Sequence, residues 1–497
     1  MRLSELINGD LIRHDPRTAA LLASGALERD VSGLTADSRQ VQPGYLFAAL
    51  SGSTLDGRRF IGDAVRRGAV AVLAEDGIDA GEEAIAVIAD DNPRLRLALM
   101  AARFYGKQPG TVAAITGTSG KTSTAEFTRR IWAALGKKSA SLGTLGITTD
   151  DGTDGPGLTT PDPVQLHAAL AGLVDRGIDH LAMEASSHGL DQFRLDGVKV
   201  GIAAFLNLSH EHLDYHKDMA SYLKAKAGLF ERVLQADGTV ILNADAPESA
   251  GIADIATKRG LRTIRFGTAP DANLRLIRRE PTATGQHLTI AFADQERTVE
   301  LPLIGAFQAM NALAASAIVI ASGVDAAKVF DCLPALAGVR GRLEFAVRHP
   351  NGAPIFVDYA HKAEALETVL TAVRPHVTGA LHVVFGCGGD RDKGKRPIMG
   401  RTAADLADHV YVTDDNPRTE DPRTIRAEIM AACPGATEIG DRAMAISTAI
   451  KALQPGDALI IAGKGHETYQ IVGTETRPFD DRDAARAVVS ALLGEVR

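Results

Sequence analysis

Three observations predict an α/β protein of several domains. Short apolar runs alternate with segments of helical period, the pattern of a mostly parallel sheet with covering helices. One such run, Val112–Thr116, ends in Gly117-Thr-Ser-Gly-Lys-Thr-Ser123, a glycine-bounded turn that opens a helix. At 497 residues the chain exceeds what one core supports, and two breaks divide it, at Gly106–Gly110 and near 337–342. They give three expected domains: 1–108, 109–336 and 337–497.

In the first domain, Tyr45–Leu50 and Ala69–Ala74 read as strands, with a helix at Phe60–Arg67 between them. Leu95–Tyr105 is an amphipathic helix, with Asn92 as its cap and Pro93 in its first turn. In the second domain, strands are expected at Thr111–Thr116, His180–Glu184, Gly201–Leu206 and Thr239–Asn243. Helices are expected at Thr124–Leu135 and Pro163–Asp175. Short β-like stretches follow at Leu261–Phe266 and His287–Phe292, then a long apolar helix at Ala306–Ser322. The third domain has strands at Pro354–Asp358, Ala380–Phe385, His409–Thr413 and Ala458–Ala462. Each runs into a polar loop: 358–362, 386–395, 414–423 and 463–467. Open α/β sheets bind ligands at such carboxyl-end loops.

Composition narrows the function. A formal net charge of −8 argues against a general nucleic-acid binder. Cys332, Cys387 and Cys433 form neither a disulfide framework nor a zinc spacing. The first 17 residues carry no signal-peptide core, and no apolar run reaches the ~18 residues of a membrane span. A soluble, cytoplasmic protein without a nucleic-acid or membrane partner is expected.

The chemistry-bearing segments start with the phosphate loop. Backbone N–H groups of Gly117, Thr118, Ser119 and Gly120, with the helix N-terminus, suit a polyphosphate. Lys121 brings a point charge, the Thr122 hydroxyl suits Mg²⁺, and Ser123 follows. Ile115 stands where the full motif has glycine, so this is its short form. ATP or GTP is the implied ligand. Glu184 ends a buried strand of the same sheet, placed either for Mg²⁺ or as a capping or salt-bridged carboxylate. His210, His212 and His216 fit no standard zinc motif; one imidazole at a hard-metal phosphate site is the better reading. Lys226 sits on a helix with Lys224 on a different face, and a surface lysine is the default. The run Asp390–Arg396 is a solvated loop or carries Arg391 to a carboxylate. Asp-Asn-Pro-Arg occurs twice, each time after another Asp. The copy at 90–94 leads into a helix and is structural, whereas the copy at 414–418 lies in a strand-end loop and is a binding candidate.

Together these segments resemble the Mur ligases of peptidoglycan synthesis. The matching stretches include Thr35–Arg39, Thr116–Ser123, Thr159–Pro161, Met183–Leu190, Asn207–His216, Ala225-Lys226, Gly341–Glu344, Asp358–His361, Phe385–Arg396, Asp414–Arg418 and Gly463–Glu467. The resemblance spans nearly the whole chain. It implies an N-terminal αβ UDP-binding domain, a central P-loop ATPase domain and a C-terminal Rossmann-like domain. The implied reaction is ATP-dependent amide formation between UDP-N-acetylmuramoyl-L-alanyl-D-glutamate and meso-2,6-diaminopimelate, through an acyl phosphate, in a monomer. It assigns Ala36, Ser38, Ser53, Thr54 and Leu55 to the uridine diphosphate end. Thr159, Thr160, Ser186, Gln192 and Arg194 take the muramoyl dipeptide. Asn311, Arg342 and Asp358 complete the ATP site begun by Gly117–Ser123. Thr122, Glu184, His212 and Lys226 serve Mg²⁺, with Lys226 carbamylated (N6-carboxylysine). Lys121, Lys226, His212 and Glu184 are the implied catalytic set. Arg391, Asp415, Asn416, Pro417, Arg418, Gly463 and Glu467 take diaminopimelate. An arginine fork at Arg418 suits the carboxylate that diaminopimelate has and lysine lacks.

The chain departs from the family pattern at Ala185, Glu211, Gln308 and Arg340. The alternatives are a lysine-adding sister enzyme, a folylpolyglutamate synthase, and a phosphate-loop switch or transport ATPase. The last leaves the four C-terminal loops without a role.

Overall fold

A computed structural model describes residues 1–7, 25–52, 56–75, 85–154, 158–293 and 295–495. Ser53, Thr54 and Leu55 lie outside the described residues. The fold is mixed α/β with sheets rich in parallel strands. It forms two compact units, 1–266 with 317–324, and 267–316 with 325–497.

The first unit opens with a four-stranded parallel sheet of β1 (Gly33–Thr35), β2 (Tyr45–Ala48), β3 (Ala71–Ala74) and β4 (Ala86–Ala89), in that order. Helix Pro93–Tyr105 follows, and Asn92 caps it by accepting the Leu95 amide at 3.1 Å. The first copy of the repeated pentapeptide is therefore a helix start, as expected.

The central sheet includes β5 (Thr111–Thr116), β6 (Ser139–Gly143), β7 (Gly146–Thr149), β8 (Gly152–Asp154), β9 (His180–Glu184), β10 (Val200–Phe205), β11 (Leu234–Asn243) and β12 (Arg262–Gly267). Their order is β12-β11-β10-β5-β9-β6-β7-β8. All pairs are parallel except β6–β7 and β7–β8. Val112, Ala114, Leu181, Met183, Ala203 and Phe205 pack in its core. The β6–β7–β8 segment escaped the sequence reading because Ser139–Gly143 is built of small residues without β-branched apolar signal. Helix Lys121–Ala134 begins earlier than the periodicity indicated, because Gly120, at φ 87°, turns the chain directly into it.

The second unit holds an antiparallel meander, β13 (Leu274–Pro281), β14 (Gln286–Phe292) and β15 (Gln295–Leu301). A six-stranded sheet follows: β16 (Glu344–Arg348), β17 (Pro354–Asp358), β18 (Leu381–Phe385), β19 (His409–Val412), β20 (Thr437–Glu438) and β21 (Ala458–Ala462). Its order is β16-β17-β21-β18-β19-β20, parallel but for the β16 edge. A polar hairpin, β22 (Tyr469–Val472) and β23 (Glu475–Pro478), closes the loop side. The crossing connections leave the carboxyl-end loops of β17, β18, β19 and β21 close together, where a ligand crevice belongs.

Candidate active site

The nucleotide region of the first unit is built around one carbonyl. Gly117 O accepts Lys121 Nζ at 2.8 Å and Lys226 Nζ at 2.9 Å. Lys226 is buried, against the surface reading that its sequence position suggested. Its Nζ lies 4.4 Å from the Tyr222 ring centroid. Burial, and then the neighbouring Lys121 charge, push the Lys226 pKa well below its ordinary value, while Glu211 opposes. A buried lysine held toward its neutral form has a free amine pair. The Thr118 and Ser119 amides both donate to Asn207 Oδ1, at 3.0 and 2.9 Å. Asn207 thus orders the loop, a role that its sequence position did not announce.

Glu184 leaves β9 beside this loop. Its Oε1 accepts the Thr122 hydroxyl at 3.0 Å and the Thr144 amide at 2.8 Å. Gly143 makes room: a Cβ there would lie 2.0 Å from Glu184 Oε1. Thr144 Oγ1 reaches Thr159 Oγ1 at 3.1 Å, so the unforeseen β6–β7 turn links the carboxylate to the expected dipeptide set. Thr160 Oγ1 donates to Glu184 O and accepts the Ser186 amide, both at 3.0 Å. Arg194 donates to Thr160 O at 2.8 Å and to Gln192 Oε1, and Gln192 donates to Tyr215 OH at 3.2 Å. Thr159, Thr160, Ser186, Gln192 and Arg194 therefore form one network with Glu184 and Thr122. Ser38 is buried, whereas Ala36 is exposed.

His212 stands at φ 58°, its ring 5.0 Å from that of His188 and 6.0 Å from that of Tyr222. Among the described residues, no group of three or more His, Cys, Asp and Glu side chains is placed to hold a metal by itself. The Thr122–Glu184 pair offers a hydroxyl and a carboxylate, hard oxygen donors that fit Mg²⁺ completed by phosphate oxygens and water.

In the second unit, Asp358 ends β17 buried, accepting the Leu343 amide at 2.6 Å and the Ala360 amide at 2.7 Å. Burial raises its pKa to about 6, with Arg342 opposing. The Arg342 guanidinium lies 4.8 Å from the Tyr359 ring. Gln308 bridges Asn311 and Arg342, accepting from the Asn311 amide at 3.2 Å and donating to Arg342 O at 3.3 Å. Arg340 pairs with Asp480 at 2.8 Å. Gly341 turns at φ 66°, where a Cβ would meet His466 N at 2.2 Å. At Gly465 a Cβ would meet Tyr359 Cβ at 2.6 Å. These two glycines let the 341–342 and 465–467 loops pack backbone on backbone.

The second copy of the pentapeptide is a loop stitched to the hairpin. Arg418 takes φ 52°, donates its amide to Ile471 O at 3.1 Å and accepts the Gly473 amide at 2.7 Å. Gln470 Nε2 donates to Asp415 O, and the Ile471 amide to Asn416 Oδ1. The Arg418 side chain donates to Gly389 O at 2.8 Å. Asn416 and Pro417 are buried, and so is Asp415, whose Oδ2 has no hydrogen-bond partner among the described residues. A Cβ on Gly463 would lie 2.7 Å from that oxygen. Asn416 Nδ2 donates to Glu467 Oε2 at 2.9 Å. The structure thus gathers Asp415, Asn416, Pro417, Arg418, Gly463 and Glu467. Arg391 stands apart, exposed, donating to the carbonyl of its neighbour Asp390. Within that charged run the buried cation is Arg396, paired with Glu420 at 3.0 Å and Glu428 at 2.8 Å.

Three stretches match family descriptions: residues 30–105 the Mur ligase family catalytic domain, 115–319 the Mur ligase middle domain, and 341–465 the Mur ligase glutamate ligase domain. A protein of Bradyrhizobium diazoefficiens, 50% identical over 99% of this chain and 100% of its own length, is named UDP-N-acetylmuramoyl-L-alanyl-D-glutamate–2,6-diaminopimelate ligase. One from Brucella melitensis with the same name is 51% identical over 95% of this chain and 97% of its own. A solved structure of a ligase so named superposes with a TM-score of 0.72 at 32% identity, covering 99% of both chains. The chain belongs to the Mur ligase family.

Proposed function

We propose that the protein is an ATP-dependent ligase that joins meso-2,6-diaminopimelate to the D-glutamyl carboxylate of UDP-N-acetylmuramoyl-L-alanyl-D-glutamate. The observation that carries this is the cluster of strand-end loops in the second unit, which brings together a cation at Arg418 and carboxylates at Asp415 and Glu467. Relatives about half identical over the full length carry that activity in their names.

The reaction forms an acyl phosphate from ATP and the glutamyl carboxylate. The amine of diaminopimelate then attacks it, and phosphate leaves. Lys121 and the loop amides offset charge on the phosphate oxygens. Thr122 and Glu184 would hold Mg²⁺, with His212 and Lys226 nearby; the ion's part is to screen charge on the transferring phosphoryl group. The depressed pKa of Lys226 favours an amine able to take up CO₂, and the resulting carbamate places an anion where a second cation would otherwise repel the metal. Asn311, Arg342 and Asp358 serve the nucleotide. Thr159, Thr160, Ser186, Gln192 and Arg194 hold the dipeptide, and Ala36, Ser38 and 53–55 the uridine diphosphate end. Arg418 pairs with the far carboxylate of diaminopimelate, Glu467 and Asp415 with its ammonium, and Asn416, Pro417 and Gly463 shape the pocket. Arg391 reaches the ligand only by a change of rotamer from its exposed position. Domain limits at 108/109 and 336/337, a monomeric state and a cytoplasmic location belong to the same reading. Among the described residues no helix is long and apolar enough to cross a membrane.

The test is phosphate release from ATP with the UDP-muramoyl dipeptide present, comparing meso-diaminopimelate with L-lysine. Release with diaminopimelate alone supports the proposal. Release with lysine alone assigns the chain to the lysine-adding branch, and release without dependence on either overturns the ligase reading.

A further inference from the structure

The pocket loops contain a buried cation that the reaction scheme leaves unused. Lys464, between Gly463 and Gly465, has 0% exposure. Its Nζ donates to Asn416 Oδ1 at 3.2 Å and to Glu467 Oε2 at 3.1 Å. Asn416 Nδ2 donates to the same Glu467 oxygen at 2.9 Å, and the Ile471 amide donates to Asn416 Oδ1 at 2.9 Å. The three side chains close a ring of hydrogen bonds. An ammonium only donates, so Lys464 obliges the Asn416 carboxamide to turn its oxygen inward and its nitrogen toward Glu467. Both ring bonds to Glu467 fall on Oε2, so Oε1 of this part-exposed side chain takes no part in the ring.

The ring also sets the charge that a ligand meets. Glu467 and Asp415 alone would form a doubly anionic wall, well suited to a bare ammonium. Lys464 offsets Glu467 by direct contact. Lys395 and Arg442 add positive potential at Asp415 from longer range, but Lys395 is bonded to His361 O and Arg442 to Asp481. What remains, together with Arg418, is a balanced lining. A balanced lining favours a head group that is itself balanced, an ammonium beside a carboxylate.

We propose that Lys464 is a positioning and specificity residue: it holds Asn416 and Glu467 as one unit and, by offsetting Glu467, favours an amino acid whose far end is zwitterionic over one that ends in a bare ammonium. This rests on the diaminopimelate reading of the pocket. Lys464→Met keeps most of the length of the side chain and removes its charge. With the full-length protein, KM for meso-diaminopimelate should rise about tenfold or more, and the diaminopimelate-to-lysine ratio of kcat/KM should fall by about the same factor. KM for ATP and for the UDP-muramoyl dipeptide should stay unchanged, a split that loss of structure would not produce. Lys464→Arg should retain most of the preference. An unchanged ratio in Lys464→Met overturns the proposal. If that variant melts below the assay temperature, Lys464→Gln, which keeps a donor without the charge, takes its place, and an unchanged ratio there overturns the proposal equally. A wild-type protein that turns over with neither amino acid sinks the ligase reading and this proposal together; an active wild type with an unchanged variant ratio sinks this proposal alone.

Discussion

The two ligand-facing regions handle charge in opposite ways. In the nucleotide region two lysine amines converge: Lys121 and Lys226 share the carbonyl of Gly117. In the amino-acid region cations sit on carboxylates: Lys464 on Glu467, Arg442 on Asp481, Arg396 on Glu420, and Arg426 on Asp414. The first arrangement gains most from an anionic ligand that arrives with ATP. The second, Asp415 Oδ2 apart, is already paired internally, so its ligand meets fixed groups and little reorganisation is required. Substitutions in the first should therefore strike turnover, and those in the second should strike recognition.

The largest effect is expected at Lys121. Lys121→Ala should lower kcat for ligation by about 10²–10³-fold, read as phosphate release, because a preorganised charge on the transferring group is lost. Near-normal turnover would break the contrast at its strongest point. Arg418→Ala should cost about 10²-fold in kcat/KM for diaminopimelate, mostly through KM, and leave ATP affinity alone; a pure kcat effect would move Arg418 to the chemical step. Gly143→Ala forces Glu184 aside, and should raise the Mg²⁺ concentration for half-maximal activity by about 10–100-fold. No shift in that midpoint would detach Glu184 from the metal.

Two pH effects are smaller. Folded Lys226 loses its proton at lower pH than the unfolded chain does. Between its depressed value and 10.5 the unfolded chain binds more protons, so stability rises with pH. Denaturant titrations in CO₂-free buffer should show that rise, and Lys226→Met should remove it; identical slopes would mean that the buried amine stays charged. Asp358 has the opposite sign. Its pKa is raised to about 6, so from 3.8 to about 6 the folded state holds the extra proton and stability falls as pH rises. Asp358→Asn should flatten that window, and an unflattened profile would place the titration elsewhere.

How legible each region was follows the same divide. The phosphate loop, the strand ending at Glu184 and the strand-end loops of the second unit could be read because each is a local pattern of turn, strand and helix. Lys226 could not, because its burial depends on a carbonyl more than a hundred residues earlier in the chain. Gly143 and Thr144 were silent because the strand leading to them is made of small residues. Lys464 carries no sequence signal that separates it from any other lysine between two glycines. Those glycines are what bury it, since neither has a Cβ to hold the loop away from Asp415 and Tyr359. The repeated pentapeptide makes the point with spelling held constant: one copy starts a helix, whereas the other is bent through a positive φ at Arg418 and sewn to a hairpin that the sequence pattern did not signal.

The backbone-on-backbone stack of Gly341, Tyr359 and Gly465 has a consequence for how such an enzyme can change over evolutionary time. Arg342 leans on Tyr359, whose ring lies 5.0 Å from His466, next to Glu467. With no space for even a methyl group at either glycine, these two positions tie the 465–467 loop to the backbone at 341–342 and 359. A lineage that replaced Gly341 or Gly465 would displace both loops at once, whereas Lys464 and Glu467 can exchange side chains without passing through that stack. The 414–418 loop lies outside that stack and is tied to 463–467 by exchangeable side chains instead, through Asn416.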